Sequence, residues 1–240
     1  MLDLHEDPPV PSETRSTQLA PPRQSPVMTP RHWPLYGLRI HTPRLELRLP
    51  GLDLLDELAT VAADGVHAPD RMPFTVPWTD GSPAERGRAV YQHVLGTVAN
   101  WSVRSWTLSL AVLHEGKVVG RQDLMADNFA VKREAETGSW LGLAHQGQGI
   151  GTEMRAAALH LAFAGLGARY AVSAAMTDNP RSLGVSRRLG YLPDGLDIGA
   201  VREEPVTLQR LRLARVRWEE YRSVDVTIEG LDACRAEFGA

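Results

Sequence analysis

Three glycines at alternate positions, Gly147, Gly149 and Gly151, separate the apolar run 140–143 from a long segment rich in alanine and leucine. Glycine reaches backbone conformations that other residues avoid, and it lets the backbone approach a ligand closely. A helix that begins at this point would leave the N–H groups of its first turn unpaired, beside a partial positive charge. A strand, a glycine turn and a helix in this order therefore predict a binding site for an anion such as phosphate or pyrophosphate.

The spacing of the glycines distinguishes between phosphate-binding loops. A P-loop needs G-x-x-x-x-G-K-[ST], and no lysine lies near this turn. A dinucleotide-binding fingerprint needs G-x-G-x-x-G, but Thr152 stands at the position of the third glycine, and no acidic residue ends a second strand at the required distance. The pattern that remains is Q-x-x-G-x-G, with Gln146, Gly149 and Gly151. The alternative is a glycine-rich turn that binds no ligand.

A second motif, D-N-P-x-S-x-x-x-S-R-R-x-G-Y, occupies residues 178–191. Asn179 is a favoured helix N-cap, Pro180 a favoured first helical residue and Gly190 a favoured helix stop. The motif therefore predicts a short helix that the chain enters directly from the strand 169–176.

In this order, the two motifs resemble those of the GNAT superfamily of N-acyltransferases, in the RimJ/RimL-like branch that acetylates the N-termini of ribosomal proteins. The resemblance extends over roughly residues 42–213, and it is greatest for actinobacterial members regarded as acetyl- or succinyltransferases. It implies an α+β fold with a mixed, mostly antiparallel, twisted sheet flanked by helices. The implied order is β-α-α-β-β-β-α-β-α-β-β, and strands 4 and 5 of that order are expected to splay apart.

The resemblance also implies that an acyl group passes from acetyl- or succinyl-coenzyme A to an amine, which attacks the thioester directly. The glycine turn would hold the pyrophosphate. The strand before it would pair with the pantetheine arm and place backbone N–H groups beside the acyl carbonyl. The expected coenzyme A contacts are Trp140, Leu141, Leu143, Gln146, Gly147, Gln148, Gly149, Ile150, Gly151, Thr152, Asn179 and Ser182.

Two proton transfers need side chains, because the amine must be neutral and the departing thiolate benefits from a donor. Glu134 and Glu136 lead into the central strand and are the candidate bases, acting through water, with Asp123 as a further candidate. Many members of the family carry a tyrosine where this chain has Ser186, so the resemblance to RimL-like members indicates Ser182 as the acid or thiol donor. The alternatives are solvated carboxylates at a strand end and a serine that bonds only local backbone.

The acceptor is expected to bind against the stretch between the first two helices, which is rich in proline and aromatic residues. Asp70, Arg71, Phe74 and Trp78 offer a charge pair and two flat apolar surfaces there. A succinyl group carries a free carboxylate, which favours an arginine partner. Arg71 and Arg121 are the candidates for that role.

Composition limits which other functional classes are possible. A net charge of -3 gives no global field that would attract nucleic acid, and a single cysteine, Cys234, excludes an intramolecular disulfide and fits a reducing cytoplasm. No apolar run is long enough to span a membrane, and the histidines show no zinc-ligand spacing. We therefore expect a cytoplasmic protein without a bound metal. The resemblance implies an amine acceptor, and we also expect a homo-oligomer. The alternative function is a non-catalytic sensor of acyl-coenzyme A.

The chain divides into three predicted regions. Residues 1–30 are rich in proline and are expected to be a disordered tail, residues 31–214 form the acyltransferase domain, and residues 215–240 add a helix, a strand and a helix as a candidate subunit contact. Within the domain, alternating leucines at 45–49 predict a half-buried strand. Ser82 to Glu85 predict a capping box, and Glu115-Gly116 predict a hairpin turn.

Overall fold

The computed structural model describes residues 30–240, so the predicted disordered tail lies outside the described residues, apart from Pro30. The strands are β1 Arg39–His41, β2 Leu45–Arg48, β3 Ser105–His114, β4 Lys117–Asp127, β5 Glu134–Leu141, β6 Tyr170–Met176, β7 Leu192–Val201, β8 Glu204–Ala214 and β9 Thr227–Glu229. The α-helices are α1 Leu52–Asp64, α2 Pro83–Ala99, α3 Phe129–Lys132, α4 Ile150–His160, α5 Pro180–Arg188, α6 Arg215–Tyr221 and α7 Leu231–Cys234. A π-helical turn, Leu161–Gly165, extends α4.

All nine strands belong to one sheet in the order β7-β8-β6-β5-β4-β3-β2-β1-β9. Every neighbouring pair is antiparallel except β5 and β6, which run parallel. This arrangement confirms the predicted mixed sheet flanked by helices. The predicted strands 4 and 5 are β5 and β6 here, because the short strand β1 precedes the first strand that the sequence predicted.

The parallel pair β5–β6 is the point where the sheet opens. Pairing covers only residues 134–136 of β5 and 170–172 of β6, although both strands continue beyond these residues. The two strands therefore diverge after Glu136, which confirms the predicted splay. We call the opening between residues 137–141 of β5 and residues 173–176 of β6 the gap.

Helices cover both faces of the sheet, and β5 contributes to both cores because successive side chains in a strand point to opposite faces. Leu141 packs into the core formed with α4, whereas Trp140 packs into the core formed with α1 and α2. The two faces of the gap are therefore lined by different elements, α4 and α5 on one side and α1 and α2 on the other.

Local signals in the sequence account for several element ends. Ser82 and Glu85 form the predicted capping box at the start of α2, and Asn179 caps α5 by accepting from the backbone N–H of Ser182. At the predicted hairpin turn both Glu115 and Gly116 have positive φ, as a tight two-residue turn between antiparallel strands requires.

The C-terminal residues 215–240 complete the same core as the rest of the domain. Strand β9 pairs with β1 and extends the sheet. Phe238 and Cys234 are fully buried, and the indole of Trp106 donates to the carbonyl of Phe238. The predicted boundary after Ala214 therefore does not separate two cores, and a role of this segment in subunit contact stays a prediction.

Candidate active site

The glycine loop before α4 exposes a row of backbone donors. Gly147 and Gly149 have φ of +77° and +80°, in the region where other residues are strained, and Gly149 is the N-cap of α4 without a side-chain cap. The N–H groups of residues 147–151 find no hydrogen-bond acceptor in the described part of the chain. Consecutive unpaired N–H groups at a helix N-terminus fit an anion such as a pyrophosphate. Ile150 is fully buried and contributes through its backbone.

Three side chains fix the shape of this loop. Gln146 donates from Nε2 to the carbonyls of Val66 at 2.7 Å and Leu141 at 3.0 Å, and its Oε1 accepts from Arg181 at 2.8 Å. The amide of Gln146 is therefore occupied in holding the loop, although the sequence predicted it as a coenzyme contact. Arg181 is the second residue of α5, so this bond ties the loop to the second motif.

Arg44 supports the loop from the other side. Its Nη1 donates to the carbonyl of Gln148 at 3.1 Å, and its Nε donates to the carboxylate of Glu153 in α4 at 2.7 Å. Burial acts to raise the pKa of Glu153, but bonds from Thr42 and Arg44 outweigh it and hold that pKa below its ordinary value. Arg44 and Arg181 place two cations beside the loop, and sequence reasoning missed both because neither belongs to a phosphate-loop spacing.

Strand β5 turns alternate backbone groups towards the gap. Gly142 N–H donates to Val119 in β4, and Gly138 accepts from Gln122 of the same strand, so even-numbered residues face β4. The carbonyl of Thr137 accepts from Ser173 Oγ of β6. The backbone groups of the odd-numbered residues Ser139 and Leu141 consequently point into the gap.

Trp140 and Leu143 are also predicted coenzyme contacts, but neither points its backbone groups into the gap. Trp140 directs its backbone to β4 and its buried side chain to the α1 and α2 face, where the indole N–H has no hydrogen-bond partner among the described residues. Leu143 lies just past the strand, where its N–H donates to the carbonyl of Gly65 and its side chain is exposed.

On the α4 and α5 face, a polar cluster lies beside the gap. Ser182 is half-buried in the first turn of α5, and its hydroxyl makes no hydrogen bond within residues 30–240. Ser186 is fully buried one turn further along the same helix face. Arg155 of α4 donates to Ser186 Oγ at 2.9 Å and to Ser139 Oγ at 3.3 Å. Sequence reasoning missed Arg155, which sits inside the apolar helix that follows the glycine motif.

Arg155 has an unusual environment for a charged side chain. It is only 6% exposed, its Nε has no partner, and no carboxylate among the described residues pairs with it. Burial lowers the pKa of this guanidinium. The nearby phenol of Tyr191 is also buried, which raises its pKa, and its hydroxyl bonds Thr137 Oγ1 at 3.3 Å.

The predicted bases differ in what they contact. Glu134 forms an ion pair with Arg212 of β8. Glu136 makes no hydrogen bond or ion pair with any described residue, and it lies on the face that carries Gly138 and Trp140. The side chain of Glu136 reaches solvent, but the protein atoms around it remove part of its hydration; this desolvation, followed by repulsion from Glu134, raises the pKa of Glu136. Of these two carboxylates, Glu136 is the one left available to accept a proton.

Asp123 is held in a buried network on the same face. Ser109 Oγ donates to Oδ1 at 2.6 Å, Arg121 lies 3.0 Å from Oδ2, and His93 of α2 lies 3.5 Å from Oδ2. Burial acts to raise the pKa of Asp123, but Arg121, His93 and Ser109 outweigh it, so the pKa lies below its ordinary value. His93 is half-exposed and was not predicted from the sequence.

The predicted acceptor residues fall into two groups. The ring centroids of Phe74 and Trp78 lie 5.3 Å apart, those of Trp78 and Trp140 lie 5.7 Å apart, and the guanidinium of Arg121 lies 5.9 Å from the Trp140 ring. These four residues form one cluster, which we call the aromatic wall. Asp70 and Arg71 lie on an exposed turn before it.

A salt bridge lies just after the aromatic wall in the chain. Arg202, in the turn between β7 and β8, donates from Nε to Asp80 Oδ2 at 2.8 Å, and Asp80 lies just after the aromatic stretch. The side-chain bond from Arg202 is the main cause of a lowered pKa at Asp80. The β7–β8 hairpin is thereby joined to the segment between α1 and α2.

No group of histidine, cysteine and acidic residues in the part of the chain that the structure describes is arranged to hold a metal ion. None of the helices between residues 30 and 240 is both long and apolar enough to cross a bilayer.

Comparison with known proteins places this geometry in a family. The family model of the acetyltransferase (GNAT) domain matches residues 44–192. Among solved structures, Mycobacterium smegmatis RimJ in complex with CoA-disulfide is 16% identical with a TM-score of 0.62, covering 85% of this chain and 95% of that one. RimL, a ribosomal-protein α-N-acetyltransferase in complex with coenzyme A, is 18% identical with a TM-score of 0.56, covering 72% and 95%.

A spermidine N-acetyltransferase chimera from Vibrio cholerae and hSSAT is 16% identical with a TM-score of 0.55, covering 73% of this chain and 98% of that one. At such identities these structures share the fold with this chain. The family match itself spans well over half of the 240 residues. The chain therefore belongs to the GNAT acetyltransferase family.

Proposed function

We propose that this protein transfers an acyl group from acyl-coenzyme A to an amine, with the coenzyme bound along α4 and α5 and the amine entering from the α1 and α2 face. The observation that carries the proposal is the gap between β5 and β6. Backbone donors without a partner among the described residues lie at one end of the gap, on the α4 side of the sheet. The available carboxylate of Glu136 lies on the α1 and α2 side. An amine and a thioester can therefore reach the gap from opposite sides of the sheet.

The residues present fit coenzyme A. Residues 147–151 hold the pyrophosphate through backbone N–H groups, with Arg44 and Arg181 beside them. The backbone of Ser139 and the N–H of Leu141 pair with the pantetheine arm, and one of these N–H groups stabilises the oxyanion that forms at the thioester carbon. Thr152, Asn179 and Ser182 lie along this path, whereas Trp140, Leu143 and Gln146 act on the shape of the site.

The transfer needs a neutral amine, which limits the acceptor class. An α-amino group with a pKa of about 8 costs about 1.4 kcal/mol to deprotonate at pH 7, whereas a lysine amine near 10.4 costs about 4.6 kcal/mol. Glu136 accepts the proton, directly or through water, because its raised pKa suits a base better than a fully ionised carboxylate does. His93, oriented by Asp123, is the second candidate base.

On the leaving-group side, the hydroxyl of Ser182 donates to the coenzyme A sulfur. Its lack of another hydrogen-bond partner among the described residues supports this role. Asn179 accepts from the Ser182 N–H and so fixes the first turn of α5 in position.

The acceptor lies against the aromatic wall, beneath the Arg202–Asp80 salt bridge. RimL is named for a ribosomal-protein α-amino group and the chimera for spermidine, and both are amines. The pKa argument favours an α-amino group, as in the RimJ/RimL-like branch. Succinyl-coenzyme A is the alternative donor to acetyl-coenzyme A. Because Arg121 is already paired with Asp123, Arg71 is the better candidate for a succinyl carboxylate.

The donor preference has a direct test. We expect Arg71→Ala to lower the succinyl-over-acetyl rate ratio if succinyl is the natural group. An unchanged ratio excludes Arg71 from that role. The expected homo-oligomer is measured separately by sedimentation.

The proposed function is tested by thiol release from acetyl- and succinyl-coenzyme A in the presence of peptide α-amines and polyamines. We expect release that depends on the amine, and a loss of about 100-fold or more in Glu136→Gln with coenzyme A binding retained. Glu134→Gln is the comparison, since Glu134 is engaged by Arg212. Binding of coenzyme A without turnover by any amine would favour the acyl-coenzyme A sensor instead.

A further inference from the structure

The buried guanidinium of Arg155 has no counter-charge within residues 30–240. Its two partners, Ser139 and Ser186, are neutral hydroxyls, and its Nε bonds nothing in residues 30–240. Arginine remains charged in proteins, and a buried charge without an opposite charge is costly. A buried charge of this kind is stabilised when an anion joins it, so Arg155 implies an anion that residues 30–240 do not supply.

The position of Arg155 indicates where that anion binds. Ser139 belongs to β5, whose backbone at that residue faces the gap. Ser186 belongs to α5, one helical turn beyond Ser182 on the same face. The guanidinium therefore joins α4 to the β5 wall of the gap and to α5 beside it. The phenol of Tyr191 is the ionisable group that acts on it among the described residues, and that phenol is itself buried.

The pyrophosphate is not this anion, because it belongs to the loop at the start of α4. Arg155 lies five residues further along that helix than Ile150, or about 7.5 Å along its axis. Glu136 and Asp123 are also excluded as counter-ions, since they lie on the opposite face of the sheet. The anion must come from the part of the ligand that lies deeper in the gap.

We propose that Arg155 is the cation that stabilises the coenzyme A thiolate as it leaves. This inference rests on the proposed function. The amine nitrogen forms a bond to the thioester carbon, the carbon–sulfur bond breaks, and its electron pair remains on sulfur. The proton of the amine passes to Glu136 or solvent. Arg155 supplies the positive charge beside sulfur, while Ser182 supplies a hydrogen bond.

The test measures ionisation of the thiol of bound coenzyme A by its ultraviolet thiolate absorbance as pH is raised. Cys234 is the single cysteine of the chain. Its burial raises its pKa to about 11, so the bound coenzyme A is the thiol that titrates near neutrality. We expect the bound thiol to ionise at least tenfold more readily than free coenzyme A in the wild-type protein, and we expect Arg155→Met to abolish this difference.

Two further variants make the result specific. Arg235→Met removes one charge near the C-terminus, where that arginine bonds Asp232 and Gly165, and should leave the thiol ionisation as in the wild type. Arg155→Lys keeps the charge and should retain part of the effect. We also expect the unliganded Arg155→Met protein to unfold at the same temperature as the wild type or higher, because an uncompensated buried charge has been removed.

Several outcomes would overturn the inference. One is a bound thiol that ionises like free coenzyme A in the wild type, and another is an unchanged ionisation in Arg155→Met. If the variant instead lost its preference for succinyl-coenzyme A with thiol ionisation intact, the anion would be the succinyl carboxylate. A lower unfolding temperature in Arg155→Met together with a wild-type thiol would assign Arg155 a structural role. Absence of coenzyme A binding in the wild type would contradict the proposed function itself, and is distinguishable from all of these.

Discussion

Replacement of Gly147 by alanine perturbs the glycine loop without a steric collision. Gly147 has a φ of +77°, and a Cβ built on it meets no atom within 4 Å. The cost is therefore conformational, about 1–2 kcal/mol for an alanine held in the left-handed region. For a domain of this size each kcal/mol lowers the unfolding midpoint by about 2–4 °C, so we expect a decrease of about 2–8 °C.

The same replacement should weaken coenzyme A binding much more than strain alone explains. A loop that relaxes to negative φ turns its N–H groups away from the pyrophosphate, and a hydrogen bond to a charged group contributes about 1.5–3 kcal/mol. Loss of one such bond lowers affinity by about 10- to 100-fold. Titration calorimetry measures this directly. The increase in unfolding temperature on adding coenzyme A should shrink in parallel.

The chain offers a matched control in Gly116→Ala. Gly116 lies in the β3–β4 hairpin turn with a φ of +75°, and a Cβ there also meets nothing within 4 Å. The two alanine variants should lose similar stability, but only Gly147→Ala should lose coenzyme A affinity. Equal affinities in both variants would refute the assignment of the loop as the pyrophosphate site.

Four further outcomes are expected. The rate–pH profile should fall as pH drops through the raised pKa of Glu136, and a profile without that limb would remove Glu136 as the base. Asp123→Ala should cost about 3–5 kcal/mol in urea unfolding, because the guanidinium of Arg121 loses a buried counter-ion. Since the pKa of Asp123 is lowered, the contribution of its carboxylate is present above the unfolded-state pKa and is lost as pH falls through the folded-state pKa. Arg202→Ala should leave the unfolding temperature nearly unchanged, because its ion pair with Asp80 is exposed. The same variant should raise KM for the amine. An unchanged KM would show that the β7–β8 hairpin takes no part in acceptor binding. Phe238→Ala should cost about 3–5 kcal/mol, and a loss below 1 kcal/mol would show that the C-terminal segment is not part of the core.

Much of the fold was readable from short-range sequence signals. The capping box at Ser82, the N-cap at Asn179 and the turn at Glu115-Gly116 depend on neighbouring residues, which is why they could be located. The glycine spacing at 147–151 predicted an anion-binding loop for the same reason. Segment 215–240 shows the opposite case, because its helix–strand–helix pattern gave no sign that Phe238 would fill the core of the main domain.

The sequence by itself indicated most of the helices and strands and the glycine loop, because these follow from patterns within a few residues of one another, and its two motifs carried the resemblance to the family. Only the tertiary structure decided which of two adjacent carboxylates is available, since Glu134 meets Arg212 across the sheet and Glu136 meets no partner among the described residues. Only the tertiary structure placed Arg155 between Ser139 and Ser186 without a counter-charge. Contacts of this kind join residues far apart in the chain. The cost of an unpaired charge depends on its burial, and burial arises only when the whole molecule packs.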